Sequence, residues 1–136
     1  MTKWQKKILV IDDNPDILLA LQAMLEDAGY NVEVSEQIQN ILQATSDTSD
    51  LPDIILLDML LAGEDGRMIT KRLRSQDSTK HIPIILFSAY PSAENDAYLA
   101  GANDFIAKPF DIDVLLAKIE QYTSQTTRDF TAFDCS

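Results

Sequence analysis

Four charged residues follow short apolar runs in this chain, and their types and spacing could support chemistry. The apolar runs are residues 8–11, 54–57 and 105–107, and the charged residues after them are Asp12, Asp13, Asp58 and Lys108. A charge at the end of a buried strand is costly unless it is paired or binds a ligand. If the three runs are neighbouring parallel strands, their ends meet and the four charged groups share one pocket.

Such a pocket suits a hard divalent cation together with a phosphoryl group. Two carboxylates about 4 Å apart repel each other by roughly 4 kcal/mol at an effective dielectric of about 20, and a divalent cation removes that cost. Mg²⁺ or Mn²⁺ prefers oxygen ligands such as carboxylates, waters and phosphate. A carboxylate oxygen can attack phosphorus. Lys108 can neutralise phosphoryl oxygens, and Ser88 can offer a hydroxyl from the end of another apolar run.

The elements that must position these groups follow from the hydrophobic pattern. Five short apolar runs indicate strands, and five segments with helical spacing alternate with them. Continuous apolar strands joined by helices predict a parallel sheet that is covered on both faces. We therefore expect an α/β fold, flavodoxin-like and doubly wound, with strand order 2-1-3-4-5 and five helices. The prediction of the second helix depends on Ile38, Ile41 and Leu42, which form one helical stripe.

Composition excludes several classes of function. The net charge of −11 argues against direct nucleic-acid binding, which requires a basic surface. No run of about 18 apolar residues is present, so we expect no membrane insertion. Cys135 is the single cysteine and has no partner for an internal disulfide. A cytoplasmic location is the default expectation.

The chain resembles the receiver domains of two-component response regulators, the chemotaxis-regulator-like superfamily. The resemblance covers residues 7 to about 122. The motifs that carry it are Val10–Asp13, Leu56–Met59, Asp65–Gly66, Phe87–Ala89 and Gly101–Phe110. It implies a receiver domain at residues 7–123, after an N-terminal extension at 1–6. Residues 124–136 are polar and lack periodicity, which predicts a flexible tail or the start of a linker.

The resemblance also implies roles for the residues at the strand ends. Asp58 is expected to be the phosphoacceptor, which takes a phosphoryl group from a sensor histidine kinase or a histidine phosphotransfer protein. The reaction is expected to depend on Mg²⁺ or Mn²⁺. Asp13 is expected to bind the ion directly, Asp12 mainly through water, and Asp58 and the backbone carbonyl of Leu60 to complete the protein ligands.

A second set of residues is expected to sense the modification. Ser88 and Lys108 are expected to hold phosphoryl oxygens, and Ser88 and Phe105 to act as the switch pair. The bond between Lys108 and Pro109 is expected to be cis, which aims the lysine into the site. The face made by the fourth helix, the fifth strand and the fifth helix is expected to pass the signal to an unknown output protein.

Two departures from the family pattern concern the surroundings of Asp58. Ala62 stands where the family usually has proline, which indicates a less rigid loop. Leu60 and Tyr90 are bulky at two positions that tune how water reaches the acyl phosphate in the family. We predict from them a longer-lived phosphoryl group than small or polar residues would allow.

Other functions remain as alternatives. A phosphatase with an aspartyl nucleophile on a related fold carries Asp-x-Asp after the first strand, whereas Asp12 and Asp13 are adjacent here. A flavin-binding protein of the same topology needs a phosphate loop at this place, and the two aspartates would repel the flavin phosphate. We therefore expect a signalling module that is not a multiple-turnover enzyme. It is expected to be a free regulator, a phosphorelay shuttle or a receiver from a hybrid kinase.

The third predicted helix carries a group of basic residues. Arg67, Lys71 and Arg74 recur on one side of it, with Arg72 beside them. Two interpretations are open: a docking surface for an acidic partner, or an ordinary solvated helix face. We favour the solvated face.

Overall fold

The computed structural model of the protein describes residues 5–36, 51–61 and 63–135, with side chains as far as Thr123. The strands are β1 Lys7–Ile11, β2 Asn31–Ser35, β3 Ile54–Asp58, β4 Leu60–Leu61, β5 Glu64–Asp65, β6 Ile84–Ser88 and β7 Asp104–Ala107. The helices are α1 Pro15–Asp27, α2 Gly66–Arg74, α3 Glu94–Ala100 and α4 Ile112–Cys135. A 3₁₀ turn at Pro91–Ala93 leads into α3.

The main sheet has five parallel strands in the order β2-β1-β3-β6-β7. Strands β4 and β5 form a separate antiparallel pair in the loop after β3. The five strands of the main sheet, counted in chain order, therefore have the predicted order 2-1-3-4-5. Every residue of β3 and β6 is buried, as expected for the inner strands of a sheet with helices on both faces. The predicted flavodoxin-like fold is therefore confirmed.

The two faces of the sheet bury separate clusters because successive side chains of a strand point to opposite sides. On one face, Leu57 and Leu86 pack with side chains from α2 and α3. On the other face, Leu56 and Phe87 pack with side chains from α1 and α4. Each face therefore carries two of the described helices, which holds the strands in one register.

Polar residues in the loops begin the first two helices. Asn14 caps α1 by accepting a hydrogen bond from the Asp16 N–H at 2.9 Å, and Pro15 follows it at the first helical position. Asp65 caps α2 by accepting from the Arg67 N–H at 2.8 Å. Both caps lie at the carboxyl end of the sheet, so they also fix the loops that carry the acidic residues.

Three sequence predictions lie outside the described residues, differ from the structure or stay untested. The second helix, predicted around Ile38 to Leu42, lies outside the described residues, which contain four α-helices. Helix α4 continues to Cys135, whereas the polar composition of 124–136 predicted a flexible tail or the start of a linker. No glycine or proline interrupts the chain after Ile112, so the helix can continue. The domain boundaries at 6 and 123 stay predictions.

Among the helices in the described part of the chain, none combines the length and the hydrophobicity needed to cross a bilayer.

Arg74 at the end of α2 ties together loops at the amino end of the sheet. Its guanidinium donates to the carbonyl oxygens of Ile82 at 2.7 Å and Gly101 at 2.9 Å, and to Asn103 Oδ1 at 2.6 Å. The same Asn103 oxygen accepts from the Ile84 N–H at 2.9 Å. Burial lowers the pKa of Arg74. The residue is thus an internal brace and not part of the solvated face that the helical spacing indicated.

We expect Arg74→Met to lower the free energy of unfolding by about 2–4 kcal/mol, because the part-buried carbonyls of Ile82 and Gly101 lose a charged donor. Arg74→Lys should recover little of this loss, since an ammonium cannot reproduce the planar fork of donors. Arg72→Met is the matched control: it lies on the same helix but is exposed. Urea unfolding of the three variants measures the effect, and equal losses for Arg72→Met and Arg74→Met would contradict it.

Candidate functional site

The carboxyl ends of β1 and β3 bring three aspartates together. Ile11 of β1 pairs with Leu57 of β3, so Asp12 and Asp58 stand one residue further along neighbouring strands. Carboxylate oxygens of Asp12, Asp13 and Asp58 all lie within 4.8 Å of one another. Asp12 and Asp58 are buried, whereas Asp13 is exposed. The predicted convergence of the three acids is confirmed.

Lys108 completes the cluster from the end of β7. Its ammonium donates to Asp12 Oδ2 at 3.0 Å and to Asp58 Oδ2 at 3.2 Å. The Lys108 N–H donates to the Ser88 carbonyl at 2.7 Å, which fixes the backbone beside β6. The bond between Lys108 and Pro109 is cis, as the resemblance implied. One cation thus offsets two buried negative charges.

Backbone contacts hold the two buried carboxylates and the loop after Asp58. The Asn14 N–H donates to Asp12 Oδ1 at 2.9 Å, and the Leu60 N–H donates to Asp58 Oδ1 at 3.3 Å. The Gly66 N–H donates to the Met59 carbonyl at 2.8 Å. A Cβ on Gly66 would overlap the Asp58 carbonyl oxygen. Only glycine therefore lets α2 begin this close to Asp58.

The other predicted residues lie at the end of β6, in the segments that follow β3 and β6, and within β7. Ser88 is buried at the end of β6, and its Oγ accepts from the Tyr90 N–H at 3.0 Å. Phe105 is buried in the core against α3. Leu60 and Tyr90 are 56% and 59% exposed beside the cluster. Ala62 lies outside the described residues.

Comparison with known proteins decides the family. A sequence model described as the response regulator receiver domain matches residues 8–120. The chain belongs to this family. The receiver domain is 32% identical over 124 residues to the DNA-binding dual master transcriptional regulator RpaA of Synechocystis, covering 90% of this chain and 51% of RpaA. It thus spans about half the length of that relative.

Solved structures of other receiver domains share the fold. A protein of Chloroflexus aurantiacus assigned as a response regulator superposes with a TM-score of 0.80 at 32% identity, covering 88% of this chain and 98% of that one. The receiver domain of the sensor histidine kinase PA1611 of Pseudomonas aeruginosa gives 0.76 at 28% identity, with coverages of 88% and 98%. In that structure a magnesium ion is coordinated in the active-site cleft.

Sequence reasoning missed one neighbour of the cluster. The Lys108 ammonium lies 4.9 Å from the centre of the Phe87 ring. Phe87 belonged to a motif that carried the resemblance, but its position in β6 indicated only a core residue. The signal was an aromatic residue directly before Ser88 in a strand that is otherwise aliphatic.

The electrostatics of the receiver site disfavour charge on Asp58. Burial raises the pKa of Asp58, the negative charge of Asp12 raises it further, and Lys108 opposes both. The folded state therefore binds the Asp58 proton more tightly than the unfolded chain does. This contribution to stability is present at low pH and is lost as the pH rises through the folded pKa of Asp58.

We therefore expect Asp58→Asn to be more stable than the wild type at pH 7 without divalent cations, by about 1 kcal/mol. The difference should shrink as the pH falls, because the wild-type carboxyl then becomes protonated. Urea unfolding at several pH values measures it. Asp77→Asn, on an exposed aspartate, should change little. An Asp58→Asn variant that is less stable at pH 7 would contradict this account.

Proposed function

We propose that this receiver domain accepts a phosphoryl group on Asp58 in a reaction that depends on Mg²⁺ or Mn²⁺. The donor is a phosphohistidine on a sensor histidine kinase or a histidine phosphotransfer protein. One observation carries the proposal: two buried carboxylates and one exposed carboxylate lie within 4.8 Å, and a single ammonium bridges the two buried groups. Family membership supports it.

The proposed reaction is a transfer between two nucleophiles. A carboxylate oxygen of Asp58 forms a bond to phosphorus, and the bond between phosphorus and the donor imidazole nitrogen breaks. The electron pair of that bond stays on the imidazole. Lys108, within hydrogen-bond distance of Asp58, would neutralise negative charge on the transferred oxygens.

The residues present fit a hard divalent cation. Asp13 is exposed and would bind it directly, and Asp12 would act mainly through water. An oxygen of Asp58 and the backbone carbonyl of Leu60 would complete the protein ligands. A bound ion would neutralise the charge that these acids and the phosphoryl group bring together. The magnesium ion in the receiver domain of PA1611 supports this assignment.

The signal is proposed to pass from Ser88 and Lys108 through Phe105 to the face formed by α3, β7 and α4. These elements are the predicted fourth helix, fifth strand and fifth helix. Asp104, next to Phe105, binds this face together: it accepts from Lys118 Nζ at 3.0 Å and from the hydroxyl of Tyr122 at 3.0 Å. Burial and the contact with Asp104 raise the pKa of Tyr122 to about 12. Phe105 also packs in one core cluster with Ala97 of α3, so a shift of Phe105 would act on both helices. The output protein is an unknown partner.

Incubation with acetyl phosphate and Mg²⁺, followed by intact mass measurement, tests the proposal. We expect one phosphate adduct on the wild type and none on Asp58→Ala. Asp77→Ala is the control, because an exposed aspartate outside the cluster should leave the adduct unchanged. Omitting the cation should abolish the adduct. An adduct that persists in Asp58→Ala would sink the proposal.

A second assay separates the proposal from a phosphatase with an aspartyl nucleophile. A receiver domain turns over only its own phosphoryl group, so it is not expected to be a multiple-turnover enzyme. Repeated hydrolysis of a generic phosphomonoester by the wild type would favour the phosphatase. The adjacent placement of Asp12 and Asp13, without an intervening residue, argues for the receiver function.

We further propose that Leu60 and Tyr90 prolong the life of the phosphoryl group by hindering water. Both side chains are exposed. The Leu60 N–H donates to Asp58 Oδ1, and the Tyr90 N–H donates to Ser88 Oγ. Leu60→Asn should speed dephosphorylation several-fold because it opens the site and admits water. Decay of the adduct after removal of acetyl phosphate measures the rate. Leu99→Asn, on an exposed leucine of α3, is the control, and an unchanged or slower rate in Leu60→Asn refutes the idea.

A further inference from the structure

Phe87 faces the ammonium of Lys108 from the interior of the protein. The ring is 1% exposed and packs in the cluster formed with α1 and α4. Its centre lies 4.9 Å from Lys108 Nζ. The same nitrogen is 3.0 Å from Asp12 and 3.2 Å from Asp58. The ammonium therefore has three partners at once: two carboxylates and one aromatic face.

The Phe87 ring is itself held in place. The ring of Phe110, just after the cis bond, lies 5.9 Å from it centre to centre, and the two planes are tilted by 59°. Tilted aromatic pairs at this separation are favourable. The backbone next to Phe87 is fixed as well, because its carbonyl accepts from the Met59 N–H at 2.9 Å. The ring cannot swing away without disturbing the core.

An aromatic face attracts a cation because its π electrons carry partial negative charge, and the attraction grows when water is excluded. A lysine ammonium sits on a flexible four-carbon chain, so its position in an active site must be imposed by partners. Aliphatic residues fill the three preceding positions of β6. An aliphatic residue could also fill the core at position 87, but only an aromatic one can bind the ammonium.

We propose that Phe87 is a positioning residue: its ring holds the Lys108 ammonium over the carboxylates through a cation–π contact. This inference rests on the proposed function. The ammonium is then already next to Asp58 when negative charge builds up on the transferred oxygens. Phe87 touches neither the donor nor the phosphoryl group, and it acts only through Lys108.

Fluorinated phenylalanines at position 87 test the proposal with little change of shape. One, two or three ring fluorines withdraw charge from the face in steps and weaken cation binding in the same order. We expect the rate of phosphorylation by acetyl phosphate and Mg²⁺ to fall stepwise, by about two- to fivefold at trifluorination. The same series at position 110 is the control, because that ring contacts Phe87 and has no described contact with Lys108.

Proton NMR of the unphosphorylated protein supplies a readout that needs no phosphotransfer. A methylene beside an aromatic face is shielded, so the Lys108 ε-protons should resonate upfield in the wild type and lose that shift in Phe87→Leu. Failure of the wild type to form an adduct would end the proposed function but leave this signature intact. Unshifted ε-protons, a flat rate series at 87 or equal slopes at 87 and 110 would each overturn the role of Phe87.

Discussion

The site depends on repulsion between buried carboxylates at the ends of two adjacent strands. Asp12 and Asp58 are both buried, and their carboxylates lie within a few ångströms of each other. Burial and the neighbouring negative charge raise the pKa of Asp58, and one ammonium opposes them. Keeping such charges together destabilises the site and favours the binding of positive charge. A bound divalent cation would offset the excess negative charge. The same charges that destabilise the site would therefore favour metal binding.

The rest of the fold serves to hold that arrangement. Parallel pairing of β1 with β3 places the acids side by side, and pairing of β6 with β7 brings Lys108 beside Ser88. Gly66 allows α2 to begin against the backbone of Asp58. At the amino end of the sheet, Arg74 joins α2 to the loops before β6 and β7. The loops that carry the charged residues are therefore attached to strands whose relative positions are fixed.

The site also extends into the core and outward to the surface. Phe87 and Phe110 extend it inward, because the ammonium that faces the acids also faces an aromatic ring. Phe105 and Asp104 extend it outward along β7. Phe105 is already buried, and the neighbouring Asp104 carboxylate ties Lys118 and Tyr122 of α4 to the strand. In the proposed function, a change of charge at Asp58 would reach α4 through these groups.

The amino-acid sequence alone predicts the strand order of the main sheet and the set of acids that converge. These features depend on local apolar spacing and on the rules of parallel sheets, both of which can be read along the chain. It did not reveal that Arg74 is an internal brace, because helical spacing alone cannot show which carbonyls lie across from a side chain. Nor did it reveal the contact between Lys108 and Phe87. Both sets of contacts are visible only in the folded protein, since each depends on distances between groups of separate elements, and the packing of the sheet sets those distances.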